Sequence, residues 1–422
     1  YTPNKENNVF QLIVQYGAGE REFPKLGYAA QLMNNAGIMG AYEPQELKEE
    51  LSKLNATCHV TADEDNLYII MEGYEATLPQ ACQLLSRQIL MPKLDEKQLA
   101  RLKGSAMGMR QQRKDNVSIL NEALRQYMLY GEKSDYIKEL TDKEIYELQI
   151  SELTGDINRA SNYEAKVFFT GTLPFDQVYD ILSKNLPLVA NERPSNSPQA
   201  KDMMPVTENT VYFLPNNDAE QAQIHLYIPM QKADKKDDVL RSAFNQYFGL
   251  DFTGIVLNEI REKRSMAYTA YAFVGTQGIA GKASYLRGYI GTQNDKANDA
   301  LDVLMGLVND MPKNPERIDN IKSYLRQAML TSHPSFRNKA MELVDLGYRG
   351  YTDDPAKENL PKVDALTFDD IVKFYEENIK DKPYCISIMG NPKNIDLKRL
   401  EKFGKVVKLN ERKLFNTKDA LF

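Results

Sequence analysis

Residues 66–103 read NLYIIMEGYEATLPQACQLLSRQILMPKLDEKQLARLK, and residues 284–322 read SYLRGYIGTQNDKANDALDVLMGLVNDMPKNPERIDNIK. Each begins as a β-rich run ending near a glycine, Gly73 or Gly291, and each continues into an amphipathic helix. In the first, Leu78, Cys82, Leu85 and Ile89 fall at the three- and four-residue spacing that puts them on one helical face. Pro92 and Pro312 then break the chain before a second helix rich in charge. The two stretches are copies of one unit.

The correspondence continues downstream. The sequence ALRQYMLYG ending at Gly131 parallels MELVDLGYRG ending at Gly350. Matching helix starts follow, with Thr141 three residues before Glu144 and Thr367 three before Asp370, the spacing of a capping box. Each copy closes on a strand, VFFTG at Gly171 and CISIMG at Gly390. From Lys103 to Lys322 and from Gly171 to Gly390 the offset is 219 residues both times. Residues 187–209, rich in Pro, Ser and Asn, lack periodicity and read as an extended linker. The expected fold class is therefore α+β, with two tandem homologous domains at 1–190 and 210–422 joined by a linker at 191–209. Strand runs and helix runs segregate within each copy, so each domain is expected to be a mostly antiparallel sheet with helices packed on one face.

The 422 residues suit two domains, and 42% hydrophobic with 27% charged residues is ample for two cores. A net charge of -6 without any Lys/Arg-rich block argues against a nucleic-acid partner. No apolar run approaches the ~20 residues of a transmembrane helix. The three cysteines, Cys58, Cys82 and Cys385, are odd in number and far apart, which points to buried free thiols. His59, His225 and His333 are too scattered to form a local metal motif. His59 reads as a packed or edge-strand residue, His225 as a satisfied strand residue, and His333 before Pro334 as a surface loop residue. The abrupt opening, a polar stretch Tyr1–Asn8 and then a strand, suggests a piece of something longer. Any export signal would then lie upstream of Tyr1, leaving a periplasmic or secreted location open.

The order strand, helix, strand pair, long helices, strand, repeated twice, resembles the insulinase/pitrilysin family of inverted-zincin metallopeptidases over essentially the whole chain. In that family a His-x-x-Glu-His helix follows the first strand after a Gly-Leu-Ala-type turn. Here the turn is present in KLGYAAQLMNNAG, and the motif positions hold Ala30, Gln31, Leu32, Met33 and Asn34. Two histidines four apart would supply imidazoles to zinc and the glutamate would take a proton from the bound water. Ala30 cannot ligate, Met33 cannot act as a base, and Asn34 is a weak oxygen donor. The family's third ligand, a later glutamate, aligns near Gly108–Met109, where no carboxylate stands. The resemblance is thus to a non-catalytic, zinc-free half. It further suggests that the family's first strand is missing here.

The second copy carries GIVLNEIREKRSMAYTAYAF. In zinc-free halves of this family an arginine followed seven residues later by a tyrosine reaches toward the catalytic half. Arg261 and Tyr268 match that spacing, with Arg264 a second candidate. The resemblance implies that they hydrogen-bond the carbonyl oxygens of a bound peptide, a task suited to the several fixed donors of a guanidinium. The expected function is a catalytically inactive half of a zinc metalloendopeptidase, not active alone. It would close a chamber opposite a zinc-bearing half, supplied by the same longer chain or by a separate subunit, with zinc bound in that partner. The alternative is a structural or interaction subunit of the same fold with no role in proteolysis.

Overall fold

A computed structural model of the chain describes residues 1–113, 116–186, 193–250, 252–332 and 334–417. In the first half the strands are β1 (Thr2–Pro3), β2 (Val9–Tyr16), β3 (Gly37–Ile38), β4 (Thr57–Ala62), β5 (Leu67–Tyr74), β6 (Pro92–Lys93) and β7 (Ala165–Gly171). Its helices are α1 (Leu26–Met33), α2 (Pro44–Lys53), α3 (Leu78–Leu90), α4 (Glu96–Arg113), α5 (Val117–Tyr130), α6 (Asp135–Lys138), α7 (Asp142–Tyr146), α8 (Ile150–Ala160) and α9 (Phe175–Asn185). The second half has strands β8 (Thr210–Pro215), β9 (Gln221–Lys232), β10 (Ala267–Thr276), β11 (Ala283–Gln293), β12 (Cys385–Gly390) and β13 (Lys405–Lys408). Between them run α10 (Asp238–Phe248), α11 (Ile255–Leu257), α12 (Ala297–Asn309), α13 (Ile318–Thr331), α14 (Lys339–Tyr348), α15 (Pro355–Ala365), α16 (Phe368–Asn378) and α17 (Leu397–Leu400).

The strand order is β1-β7-β2-β5-β4 in one sheet and β10-β11-β9-β12-β8-β13 in the other, while β3 pairs with β6 alone. Apart from the added β13, the second order is the first read in reverse, so the duplicated sequence produces duplicated topology. Both sheets are antiparallel except where β1 runs parallel to β7, and β12 and β13 to β8. The structure corrects two details of the sequence reading. The strand expected to be missing is present as β1, a two-residue counterpart of β8. The capping boxes at Thr141 and Thr367 both form, but they open helices that are not equivalent. Helix α16 lies against α10 as α8 lies against α1, so the counterpart of α16 is α8 and not α7.

Each sheet packs the helices of its own half on one face. Phe10, Leu12 and Val14 on β2 point into the first core, and Ile224, Leu226 and Ile228 on β9 point into the second. The opposite faces are covered by exchange. Helix α5 of the first half lays Leu120 and Leu124 against Leu214 and Met389 of the second sheet, and its Met128 and Leu129 against Tyr227 and Cys385. Helix α14 of the second half returns Ala340, Met341 and Val344 to Ile13 and Phe168 of the first sheet. Gly131 and Gly350 terminate these two helices at φ 56° and 90°, a left-handed turn that a side chain would disfavour. Burial on both faces explains why β2, β9 and β12 read as nearly unbroken apolar runs.

Candidate functional site

Helix α1 occupies the position expected for a zinc helix, but its side chains are committed elsewhere. Ala30 and Met33 are buried in the first core, 2% and 3% exposed. Asn34, the C-cap of the helix, donates from Nδ2 to the Val60 carbonyl at 2.8 Å and accepts from the Val60 amide at 2.7 Å. Helix α4 lies against α1, where Gly108 and Met109 bring no carboxylate, and the Met109 side chain is exposed. Among the described residues no group of three or more His, Cys, Asp or Glu side chains converges as metal ligands would. The residues at the α1 positions do not fit a zinc ion.

Beside α1 lies a cavity of about 630 Å³ that sequence reasoning missed, lined by Glu20, Gln31, Glu64, Asp135 and Lys201 among others. Burial, then repulsion from Asp63, Glu64 and Asp135, pushes the Glu20 carboxyl up to about 7. Lys201, from the segment before β8, reaches between Glu64, at 3.0 Å, and Asp135. No periodicity marks that contact, because it joins a turn, a short helix and the segment between the halves. Lys201 thus compensates this acidic cluster internally.

The three histidines have separate fates. His59 lies on the edge strand β4 and is exposed. His225 is buried on β9, where Nε2 meets Asn121 Oδ1 of the exchanged α5 at 3.0 Å, but Nδ1 has no partner. It is therefore only half satisfied, and burial, then the nearby Arg287 and Arg125, lower it to about 3. His333 falls outside the described residues. The three cysteines are free, and burial pushes Cys58 and Cys82 up to about 12 and Cys385 up to about 11.

The structure brings Arg261 and Tyr268 together. After α11, residues Asn258–Glu262 form a π-helical turn, a widened geometry found often at functional sites. Ser265, at φ 48°, then turns the chain into β10. The register of β10 against β11 shifts between Ala267 and Thr269, so Tyr268 sits in a bulge. A bulge bends the strand and re-aims the side chain, and the Tyr268 ring is 79% exposed. Arg261 Cζ lies 5.2 Å from its centroid, with the guanidinium over the ring. Both line a groove of about 460 Å³ with Gln221, Glu262, Thr292 and Lys296. Arg261 Nε contacts only its neighbour Glu262, at 3.4 Å, among ion pairs of the described residues. Arg264 is instead held by Glu259, whose carboxylate it pairs with and whose carbonyl it meets at 2.7 Å.

A family model described as Peptidase M16 inactive domain matches residues 161–325, the segment that contains the Arg261–Tyr268 groove. The match covers this segment and not the whole chain, and there the sequence is similar to a peptidase M16 inactive domain. Among solved structures, the chain is similar to a peptidase M16 inactive domain from Pseudomonas fluorescens at 16% identity and TM-score 0.72, over 94% of this chain and 95% of that one. It is similar to the periplasmic protease PqqL from Escherichia coli at 13% identity and TM-score 0.70, over 92% of this chain but 44% of that one. A conserved protein from Enterococcus faecalis matches at 14% identity and TM-score 0.73, over 94% of this chain and 96% of that one. At these identities the likeness is one of fold. No curated protein sequence matches the chain. No described helix is long and apolar enough to cross a membrane.

Proposed function

We propose that this chain is the substrate-binding, non-catalytic half of a zinc metalloendopeptidase, closing a chamber opposite a zinc-bearing homologous half. The observation that carries the reading is the exposed Tyr268 ring under the Arg261 guanidinium at the mouth of a groove. A solvent-facing tyrosine on a bulge, beside a guanidinium with only a weak internal partner, has unused donors for peptide carbonyl oxygens. Arg264 is the weaker candidate, because Glu259 already occupies it. The zinc would belong to the partner, since α1 has no ligand set of its own. Domain boundaries at 1–190 and 210–422, with α5 and α14 exchanged, form part of the same proposal, as does a periplasmic or secreted setting.

Mixing the chain with a zinc-bearing homologous half and following cleavage of an unstructured peptide tests the proposal. Cleavage that appears, or rises, only on mixing is the expected result. Cleavage by the chain alone, or a partner indifferent to its addition, would overturn it.

A further inference from the structure

The outer edges of the two sheets carry the same contact twice. Asn34 bonds both the amide and the carbonyl of Val60 on β4. On α10, Asn245 donates to the Val274 carbonyl at 3.0 Å and accepts from the Val274 amide at 2.6 Å. Strands β4 and β10 are the corresponding edges of the two sheets. A carboxamide holds one donor and one acceptor side by side, so it can replace the peptide group of a neighbouring strand. A neutral histidine at position 34 could not, because its donor and acceptor nitrogens diverge around the ring.

Only alternate residues of an antiparallel edge strand point their backbone groups outward. On β4 these are Cys58, Val60 and Ala62, and Asn34 takes the middle one. On β10 the amide of Ala272 is bound by the Gly249 carbonyl at 3.1 Å, and Asn245 takes Val274. The next outward residue, Ala270, is 4% exposed and buried in the same core as Ile260 of the π-helical turn. An incoming strand would therefore find no continuous ladder along β4 or along β10.

We propose that Asn34 and Asn245 are edge locks that close the β4 and β10 edges to strand addition, so that peptide lying along these edges is held by side chains alone. The part concerning peptide rests on the proposed function above; the locks do not. The probe is a fluorescein-labelled, Thr- and Val-rich peptide flanked by glutamates, with two versions N-methylated at alternate backbone amides. Titrated against the full chain, both methylated versions are expected to bind within about threefold of the parent. A loss greater than about tenfold, roughly 1.4 kcal/mol, for one of them would overturn the proposal, because only strand addition needs those amides. If the parent peptide does not bind at all, the substrate-binding reading fails while the locks are judged separately. Hydrogen exchange in the segments containing Val60 and Val274 is that judgement. Each amide should exchange slowly in the native chain and at least about tenfold faster in Asn34→Ala or Asn245→Ala, respectively. Fast exchange at Val60 and Val274 in the native chain would overturn the locks even if a variant fails to fold. Asn34→Asp, which keeps the acceptor but sets a carboxylate against the Val60 carbonyl, should fall between the native chain and Asn34→Ala.

Discussion

Helix α1 of the first half and the turn from α11 into β10 of the second half treat their side chains in opposite ways. On α1 the positions expected for zinc chemistry have been absorbed: Ala30 and Met33 fill the core, and Asn34 spends both amide atoms on Val60. At the second turn a π-helical segment, a left-handed Ser265 and a bulge hold Tyr268 out in solvent under Arg261. Packing alone explains the first arrangement. It does not explain the second, which leaves a large aromatic ring in water and retains local backbone strain at Ser265. The α1 positions merge into the core, and the Arg261–Tyr268 pair stays exposed.

The comparison can be tested most severely by trying to reverse it. The triple change Ala30→His, Met33→Glu and Asn34→His places ionisable groups where the core is closed, and should lower stability by roughly 3–5 kcal/mol in urea unfolding. Addition of zinc should not recover it, because α4 offers Gly108 and Met109. A zinc-dependent rise in the unfolding midpoint would show that the first site is only dormant.

The second site is probed by Arg261→Ala and Tyr268→Phe. Arg261→Ala should lower the turnover efficiency of the proposed assembled protease by roughly ten- to more than a hundredfold, the equivalent of ~1.5–3 kcal/mol for a charge-assisted hydrogen bond, and Tyr268→Phe by roughly two- to twelvefold, the equivalent of ~0.5–1.5 kcal/mol for a neutral one. Unchanged kinetics with an intact circular dichroism spectrum would remove the distinction between the two turns.

His225 tests the exchanged helix that joins the two regions. Burial lowers it to about 3, below its unfolded value of about 6.5. Between those values the unfolded chain binds the proton and the native chain does not, so its stabilising contribution is complete above about 6.5 and is lost as pH falls toward 3. From pH 7 to pH 5 this amounts to about 2 kcal/mol, and His225→Gln should remove that part of the slope in denaturant midpoints measured at the two pH values. An unaltered slope would mean that the ring does not stay neutral against Asn121. The smallest effect is expected for Arg264→Ala, within about threefold of native turnover, since an exposed pair with Glu259 contributes ~0–1 kcal/mol. A large loss would transfer the role from Arg261 to Arg264.

Local signals were legible wherever the duplication repeated them. The Gly73/Gly291 strand ends, the prolines before the second helices and the Gly131/Gly350 terminators all announced two copies, and both sheets follow. The spacing of Arg261 and Tyr268 was visible too, although only the bulge at Tyr268 explains how a strand residue turns outward to meet the arginine. What remained unreadable depends on contacts distant in sequence. The exchange of α5 and α14 leaves no periodic trace, because a helix shows which face is apolar and not which sheet covers it. The Asn34–Val60 and Asn245–Val274 bonds were hidden for the same reason, and Asn34 read only as a lost ligand. Thr141 misled because a capping box reports a helix start without saying which helix of the repeat it opens.

Two copies of one unit that trade a helix have the form of a domain-swapped dimer whose protomers have been tied end to end. Proteolysis between residues 194 and 209 should consequently leave one particle and not two fragments, since α5 and α14 would still grip the opposite sheets. The tether makes each insertion an intramolecular event at high effective concentration, so what looks like a chain of two beads is mechanically a clasp.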